Sequence, residues 1–513
     1  MSSRLRTHVL NLLGIVSLAL LRAAAADQAP LPERVRPAVD AASGSHPFLA
    51  AEHQVLPLDL GRYGYVEREY VISGQAQVYD WPASGGPVVL ARGTYVTRIL
   101  VRRPASDTRF SGTVIVEGFN PSTPVDLPIM WAQSYARFIA DGHAWVGVTV
   151  KPNTIKSLQR FDPARYGELS MPHPPSGPSC PPAEINRWSQ PTTPGDETGL
   201  AWDILSQVAA LLKSGSTDNP LSRPAARVYL TGQSQTAGYA RTYASIFGRS
   251  VLGPGDRPLY DAYLYSGSPP WQVPLHQCAA TIPEGDRRLI TAAAGVPVIE
   301  VFAEGDIGTN ITSRRPDSDT LPDLFRRYEV AGAAHTDPFE ALSFPAAVDM
   351  LQAAGQASAL GDPECKPGDV EPSDFPIRYA LDAAWRNLDD WVRRGIAPPH
   401  AAPLQLNSNA AQPFDPERAF VTDSHGNALG GVRTPFVDVP TARWVGAKTG
   451  SFNCMFRGYK YSFDSAALKR LYGTHGGYVA RVRGSVASLR AQRWLTPTDA
   501  AQIVRDAERA PTP

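Results

Sequence analysis

The fold is decided by the stretch Arg227-Val228-Tyr229-Leu230-Thr231-Gly232-Gln233-Ser234-Gln235-Thr236-Ala237-Gly238-Tyr239-Ala240. A β-rich run, a Gly-x-Ser turn and a helix-forming segment follow one another here, in the order that a nucleophile elbow requires. Such a turn holds a serine in a strained conformation at the edge of a sheet, above the positive end of a helix. The stretch therefore predicts a strand, a turn centred on Ser234 and a helix.

The residues two before and two after the serine must be small, because side chains there would collide across the turn. Gly232 meets this requirement, whereas Thr236 stands where the common pattern Gly-x-Ser-x-Gly has its second glycine. Gly-x-Ser also occurs in ordinary exposed turns, so the context decides between the two interpretations. Apolar residues continue at helical spacing to Phe247, and Gly248 stands where a helix would end. This context favours the elbow.

The composition is that of a globular protein with a large core. The 513 residues carry 49 basic and 49 acidic side chains, so the formal net charge is zero, and 43% of the residues are hydrophobic. A balanced charge creates no long-range field that would attract a polyanion. Since no basic run is interleaved with aromatic residues, we expect no nucleic-acid partner.

The N-terminus has the organisation of an export signal. Arg4 and Arg6 precede an apolar run from Val9 to Leu21, and small residues follow at positions 23–26. The run is short for a bilayer span, which argues against the alternative of a membrane anchor. We expect a signal peptide at residues 1–26, and a secreted or periplasmic mature protein with no membrane span.

Export changes the interpretation of the cysteines, which are Cys180, Cys278, Cys365 and Cys454. An even number of cysteines in an oxidising compartment predicts two disulfides, and three pairings are possible. There is no Cys-x-x-Cys pair and no histidine-rich spacing, so we expect neither a zinc site nor another metal or cofactor.

Strands and helices alternate through the first half of the chain. Residues 65–79 and 95–102 alternate apolar with polar residues, as paired strands do. Residues 112–118 and 144–150 are almost continuously apolar and flank a helical pattern at 127–140. This βαβ order predicts an α/β fold with a mostly parallel central sheet flanked by helices.

Two regions depart from this alternation. Residues 151–199 are crowded with Pro, Gly and Ser, which predicts an irregular loop insertion over one end of the sheet. After about residue 340 comes a C-terminal extension, with a helix near 375–394 and two helices within 478–506. We interpret residues 27–513 as a single domain carrying this insertion and this extension.

Two further candidate residues follow later strands. Asp306 comes after an apolar run at 296–302, and His335 comes after a strand pattern ending at residue 330. Ligand chemistry in an open parallel sheet collects at the carboxyl ends of its strands, where Ser234 also lies. A serine hydroxyl becomes a good nucleophile only when a histidine accepts its proton and an acid orients that histidine.

These requirements assign the roles of nucleophile, general base and orienting acid to Ser234, His335 and Asp306. Glu304 is the main alternative for the acid, and Asp317 or Asp337 could also reach the imidazole.

Acyl transfer also needs two backbone N–H groups aimed at the developing oxyanion. We expect one from Gln235, directly after the nucleophile, and the other from Phe119 or Asn120 in the loop after the strand at 112–118.

The order serine, acid, histidine resembles that of the α/β-hydrolase superfamily. Within that superfamily, the chain resembles exported bacterial and fungal proteins known only as alpha/beta hydrolase domain proteins. The stretches that carry the resemblance are Val116-Glu117-Gly118-Phe119-Asn120, Trp145-Val146-Gly147-Val148, Arg165-Tyr166-Gly167, Gly232-Gln233-Ser234-Gln235-Thr236, Glu304-Gly305-Asp306, Ala331-Gly332-Ala333-Ala334-His335 and Gly430-Gly431-Val432-Arg433-Thr434-Pro435.

This resemblance implies hydrolysis of a carboxylic ester, in a small molecule or a polymer, through an acyl-enzyme and without a cofactor. A lactonase, amidase or polyester hydrolase would present the same triad. A hydrolase-like fold used only for binding is the alternative from another class, and it predicts the loss of a triad residue, whereas none is missing. The oligomeric state stays open.

Overall fold

The structure is a computed structural model that describes residues 27–39, 44–185, 193–253, 255–283, 285–358, 371–407, 414–447 and 456–511. The predicted signal peptide at residues 1–26 lies outside the described residues, as do Cys365 and Cys454.

The strands of the chain are β1 (Asp27–Gln28), β2 (Arg34–Pro37), β3 (Tyr65–Asp80), β4 (Val88–Pro104), β5 (Thr113–Gly118), β6 (Ala144–Val148), β7 (Arg227–Gln233), β8 (Val251–Leu252), β9 (Ala262–Ser266), β10 (Val298–Ala303), β11 (Ser318–Thr320), β12 (Asp323–Val330), β13 (Glu371–Pro372), β14 (Ala442–Val445) and β15 (Tyr459–Ser462). Ten of them form one sheet in the order β11-β12-β10-β9-β7-β5-β6-β4-β3-β2.

The helices within the described residues are α1 (Ile129–Ala140), α2 (Pro152–Phe161), α3 (Pro163–Tyr166), α4 (Ala201–Lys213), α5 (Gln235–Ile246), α6 (Ile307–Asn310), α7 (Ala347–Ala354), α8 (Arg378–Arg394), α9 (Pro435–Asp438), α10 (Ser465–Tyr472), α11 (His475–Ala491) and α12 (Pro497–Arg509). Short 3-10 turns precede several of them, including Glu304–Asp306 before α6.

The centre of the large sheet is parallel. Strands β6, β5, β7, β9, β10 and β12 run in the same direction, and the outer strands β4, β3, β2 and β11 pair antiparallel. Every residue of β5, β6, β9 and β10 is buried, because helices cover the sheet and leave no polar face. The predicted α/β fold, with a mostly parallel sheet flanked by helices, is confirmed.

Two pairs of helices pack on this sheet through aromatic side chains. Phe138 of α1 meets Trp385 of α8 edge to face, with 5.2 Å between ring centroids. Trp202 of α4 stacks on Tyr239 of α5 at 5.0 Å. Helix α5 directly follows β7, so this packing fixes the position of the turn between them.

The insertion is more regular than the sequence predicted. Helices α2 and α3 occupy residues 152–166, so the prediction of an irregular stretch is wrong there. Pro152 and Pro163 stand in the first turn of these helices, where proline is well tolerated because its missing N–H has no intrahelical partner. A disulfide between Cys180 and Cys278 ties the insertion to the loop after β9. It is one of the pairings that the cysteine count left open.

The C-terminal extension contains α8, α11 and α12 close to the predicted positions. Thr496 caps α12 by accepting a hydrogen bond from the Asp499 N–H. The division of the chain into domain, insertion and extension stays a prediction. Within the described ranges, no helix has both the length and the apolar character needed to cross a membrane.

Candidate active site

Ser234 lies in the turn between β7 and α5. Its backbone has φ 55° and ψ −117°, a region that residues other than glycine rarely adopt. Its N–H donates to Ser266 O at the end of β9, at 2.9 Å, which anchors the turn to the neighbouring strand. A serine held in this strained conformation between a strand and a helix has the backbone of a nucleophile elbow.

The neighbours of the serine explain why this turn closes. A Cβ atom on Gly232 would stand 2.3 Å from Thr236 O, so only glycine fits there. Thr236, in place of the second glycine, turns its hydroxyl to the backbone. The Oγ1 atom accepts from Gln233 N at 3.3 Å and lies 3.2 Å from Gln233 O, to which it can donate. The threonine therefore fits the turn.

His335 and Asp306 form a close pair at the same edge of the sheet. The Nδ1 atom of His335 lies 2.5 Å from Asp306 Oδ1, and the other carboxylate oxygen accepts from Ala303 N at 2.8 Å. Both side chains are more than nine-tenths buried. Because Nδ1–H donates a hydrogen bond to the carboxylate, the lone pair of the neutral imidazole is on Nε2, the nitrogen that a general base would use.

The alternative acids lie elsewhere. Glu304 is buried in the turn before α6, where its carboxylate accepts the backbone N–H groups of Gly332 at 2.7 Å and Gly446 at 3.1 Å. Burial raises the pKa of Glu304 to about 7, although these two N–H groups act in the opposite direction. Asp317 and Asp337 make their hydrogen bonds to other groups. Of the four candidate carboxylates, only that of Asp306 contacts the imidazole.

The elbow contacts the imidazole through the residue before the serine. Gln233 Nε2 lies 3.2 Å from His335 Nε2 and donates to His335 O at 3.1 Å. Gly267, which follows Ser266, also packs closely against the pair. A Cβ atom on Gly267 would stand 2.9 Å from His335 Cε1 and 3.2 Å from Asp306 Oδ2. In the described part of the chain, no hydrogen bond joins the Ser234 hydroxyl to the imidazole.

In this conformation the Gln233 amide therefore occupies the nitrogen that the serine would need. Catalytic hydrogen bonds are often long or absent in ligand-free sites and form in the complex with substrate. The lack of a hydrogen bond between Ser234 and His335 is therefore compatible with a catalytic pair. A glutamine beside the serine gives no sequence signal for a contact with a residue about a hundred positions later.

The expected oxyanion donors after β5 are engaged in the backbone. Phe119 N donates to Val148 O at 2.9 Å and so extends the ladder between β5 and β6, and Asn120 N donates to Leu127 O at 2.9 Å. Both N–H groups therefore donate to backbone carbonyls in this conformation, and the oxyanion role expected of one of them stays a prediction. The Asn120 side chain donates instead to Gln233 O at 2.9 Å. Gln235 begins α5, at the positive end of that helix.

A pocket lies at this edge of the sheet, under the insertion and the loop after β9. Its lining residues are Lys151, Thr198, Tyr239, Val273, Pro274, His276 and Gln277. Burial lowers the pKa of Lys151 to about 8. Glu197 joins the two covering segments, because its carboxylate accepts from the backbone N–H groups of Gly199 at 2.8 Å and Gln277 at 3.2 Å. Lys151 lies shortly after the end of β6, and its sequence context gave no sign that it would be buried beside this pocket.

Comparison with models of known protein families identifies the family of the chain. A family model described as "Alpha/beta hydrolase domain" matches residues 29–505. No curated protein matches the chain.

Several solved structures are similar at low identity. A dienelactone hydrolase from Anabaena variabilis is 15% identical, with 55% of this chain and 95% of that chain covered and a TM-score of 0.27. A member of the a/b serine hydrolases from Xanthomonas campestris is 11% identical, with coverages of 50% and 84% and a TM-score of 0.24. A putative carboxylesterase from Lactobacillus plantarum is 10% identical, with coverages of 50% and 88% and a TM-score of 0.25. At these identities and scores the three structures say nothing about the activity of this chain.

Proposed function

The chain belongs to the alpha/beta hydrolase domain family, and we propose that it is an exported serine hydrolase that cleaves carboxylic esters. One observation carries the proposal. A serine with φ 55° at a strand-to-helix turn lies at the same sheet edge as a buried histidine whose Nδ1 is 2.5 Å from an aspartate. This combination supplies a nucleophile, a base and an orienting acid.

The proposed reaction begins when the Ser234 hydroxyl attacks the ester carbonyl carbon. His335 Nε2 accepts the hydroxyl proton as the new C–O bond forms, and the Asp306 carboxylate stabilises the imidazolium. The imidazolium then gives its proton to the leaving alcohol as the old ester bond breaks. Water attacks the acyl-enzyme by the same route and releases the acid. Before the first step, the Gln233 amide must release His335 Nε2, which is 3.2 Å from it at rest.

The oxyanion of each tetrahedral intermediate needs hydrogen-bond donors. We propose the N–H of Gln235 as one of them, because this residue is both the neighbour of the serine and the first residue of α5. The field of the helix N-terminus stabilises negative charge at the same position.

We also propose that the protein acts outside the cytoplasm. The disulfide between Cys180 and Cys278 supports this location, because such bonds persist in oxidising compartments. Sequencing the N-terminus of the exported protein tests the predicted cleavage after about residue 26. Export of a chain that still begins at Met1 would contradict it.

A panel of p-nitrophenyl esters of increasing acyl length, run on wild type and Ser234→Ala, tests the activity. We expect hydrolysis by wild type and a loss of at least about 10³-fold in the variant. Ser216→Ala is the matched control, because Ser216 lies in the loop between α4 and β7, at the amino ends of the parallel strands.

Equal hydrolysis by wild type and Ser234→Ala would remove the proposal. Lactone, amide and polyester substrates in the same assay separate the activities that share this triad. A folded protein that hydrolyses none of them would favour the alternative of a binding protein.

A further inference from the structure

Two histidines and an aspartate meet at a place that takes no part in the elbow or the His335–Asp306 pair. One side-chain ligand atom each of His46, His53 and Asp349 lies within 4.8 Å of the other two. His53 ends the short turn Ala51–His53, and Asp349 lies in the first turn of α7. The three residues are therefore brought together from two segments separated by about three hundred positions.

His46 directs one nitrogen at the carboxylate. Its Nδ1 lies 3.0 Å from Gly44 O, an acceptor to which it must donate, and its Nε2 lies 3.1 Å from Asp349 Oδ2. When Nδ1–H donates to this carbonyl, the Nε2 atom of the neutral imidazole presents its lone pair to the carboxylate oxygen. Two lone pairs at this distance repel each other unless a proton or a metal ion lies between them. In metal-binding histidines, the ring nitrogen that does not bind the metal commonly donates its N–H to a backbone carbonyl, as His46 Nδ1 can to Gly44 O.

His53 supplies the second imidazole. Its ring stacks on that of His46, with 3.5 Å between centroids and an angle of 20° between planes. Its side chain makes no hydrogen bond within the described residues and is partly exposed, so it can turn without breaking a polar contact. Tetrahedral Zn²⁺ with bonds of about 2.0–2.1 Å requires about 3.3 Å between ligand atoms. The separation of at most 4.8 Å therefore has to close by no more than about 1.5 Å.

The electrostatics also favour a cation. Asp349 is 2% exposed, so its carboxylate is shielded from water. The neighbouring cation Arg165 belongs to a buried network in which Arg165 and Arg98 are balanced by the carboxylates of Glu69 and Asp126. We propose that His46, His53 and Asp349 form a binding site for a divalent transition-metal ion of the zinc class. Two imidazoles and one carboxylate are ligands that Zn²⁺ prefers, whereas Mg²⁺ and Ca²⁺ prefer oxygen ligands alone.

The ion at this site stabilises the fold. Backbone hydrogen bonds already join the two segments, with Ala346 N donating to His53 O and Val55 N donating to Phe344 O, both at 2.9 Å. A metal ion adds a cross-link between the N-terminal segment and α7, the helix that follows the His335 loop. This site changes the expectation of no metal, which rested on the absence of cysteine motifs. Two histidines seven positions apart and a distant aspartate form no recognisable sequence motif.

The test uses the full-length mature protein, freed of metal with a chelator and then exchanged into chelator-free buffer. Zn²⁺ is added, unbound metal is removed by gel filtration, and the zinc content and unfolding temperature are measured. We expect one zinc per chain and an unfolding midpoint raised by several degrees, because a ligand that binds only the native state stabilises it. Mg²⁺ should produce neither effect.

The variants His53→Ala and Asp349→Asn should lose both the bound zinc and the thermal shift. His400→Ala is the matched control, because His400 contacts the carboxylates of Asp317 and Asp319 without a second histidine among the contacts. Absence of bound zinc in wild type, or equal binding by folded His53→Ala, would overturn the proposal. Neither result depends on hydrolytic activity, so failure here leaves the proposed hydrolase function standing.

Discussion

Replacing Asp306 with asparagine tests the proposed pair most specifically. The carboxylate now accepts two hydrogen bonds, one from His335 Nδ1 at 2.5 Å and one from Ala303 N at 2.8 Å. An amide has one oxygen and one NH₂ group in the same positions. The Ala303 N–H can only donate, so it takes the amide oxygen, and the NH₂ group then faces the imidazole.

This arrangement forces the wrong tautomer on His335. Its Nδ1 must accept from the amide, so the proton moves to Nε2 and the lone pair needed by Ser234 is lost. An acid-to-amide change of this kind lowers kcat by roughly 10⁴ in a serine hydrolase triad, which corresponds to about 5.4 kcal/mol of transition-state stabilisation. The substitution keeps the shape of the side chain, so we expect a folded protein.

Glu304→Gln provides the control, because Glu304 lies two residues away and its carboxylate accepts only backbone N–H groups. Its loss should lower the free energy of unfolding by about 1–3 kcal/mol and leave kcat of the folded protein unchanged. The assay is steady-state hydrolysis of the best p-nitrophenyl ester, with urea unfolding on the same samples. If Asp306→Asn loses less than about tenfold in kcat, or 1.4 kcal/mol, while Glu304→Gln loses far more, the roles of the two acids are reversed.

Three further predictions use other features of the structure. Gly267→Ala should reduce kcat strongly, because the alanine Cβ would press on the His335 imidazole. Gly395→Ala is the control, since Gly395 has a similar positive φ with open space around it and its substitution should lower only stability. Equal kcat values for the two variants would show that the crowding at the imidazole is tolerated. Burial raises the pKa of Glu340 from about 4.5 to about 8, so the folded state binds more protons than the unfolded state between these pH values. The free energy of unfolding should therefore fall as the pH rises through this range, and in Glu340→Gln this fall should be less steep by up to about 1.4 kcal/mol per pH unit. An equally steep fall in the variant, measured by urea unfolding at each pH, would contradict this. Replacing both Cys180 and Cys278 with serine opens a loop of 98 residues and should lower the free energy of unfolding by about 2–4 kcal/mol, measured by urea; unchanged stability would argue against a stabilising role for this disulfide.

The elbow could be predicted from the sequence because everything that determines it is local. A strand, a glycine, a serine and a helix follow one another within fourteen positions, and the steric limit at Gly232 acts across a single turn. The central strands were predictable for a similar reason, since burial on both faces demands nearly continuous apolar residues. Helices α2 and α3 were missed because prolines at their starts resemble loop residues when the spacing alone is considered.

Three-dimensional geometry determines that Asp306, and not Glu304, contacts His335. Glu304 and Asp306 lie two residues apart in one 3-10 turn, and each follows the same strand. The turn directs the first carboxylate at the backbone N–H groups of Gly332 and Gly446 and the second at the imidazole. No propensity or spacing distinguishes the two residues. The contact of Gln233 with His335 and the grouping of His46 with Asp349 likewise depend on long-range packing.

The central claim is that Ser234 is an activated nucleophile, and covalent labelling tests it most directly. The purified protein is treated with a fluorophosphonate, and the modified residue is identified by peptide mass spectrometry. We predict a single phosphonylated site at Ser234, no label on Ser234→Ala, and much slower labelling of Asp306→Asn. A folded wild-type protein that stays unlabelled, or one that is labelled equally in all three forms, would contradict the assignment.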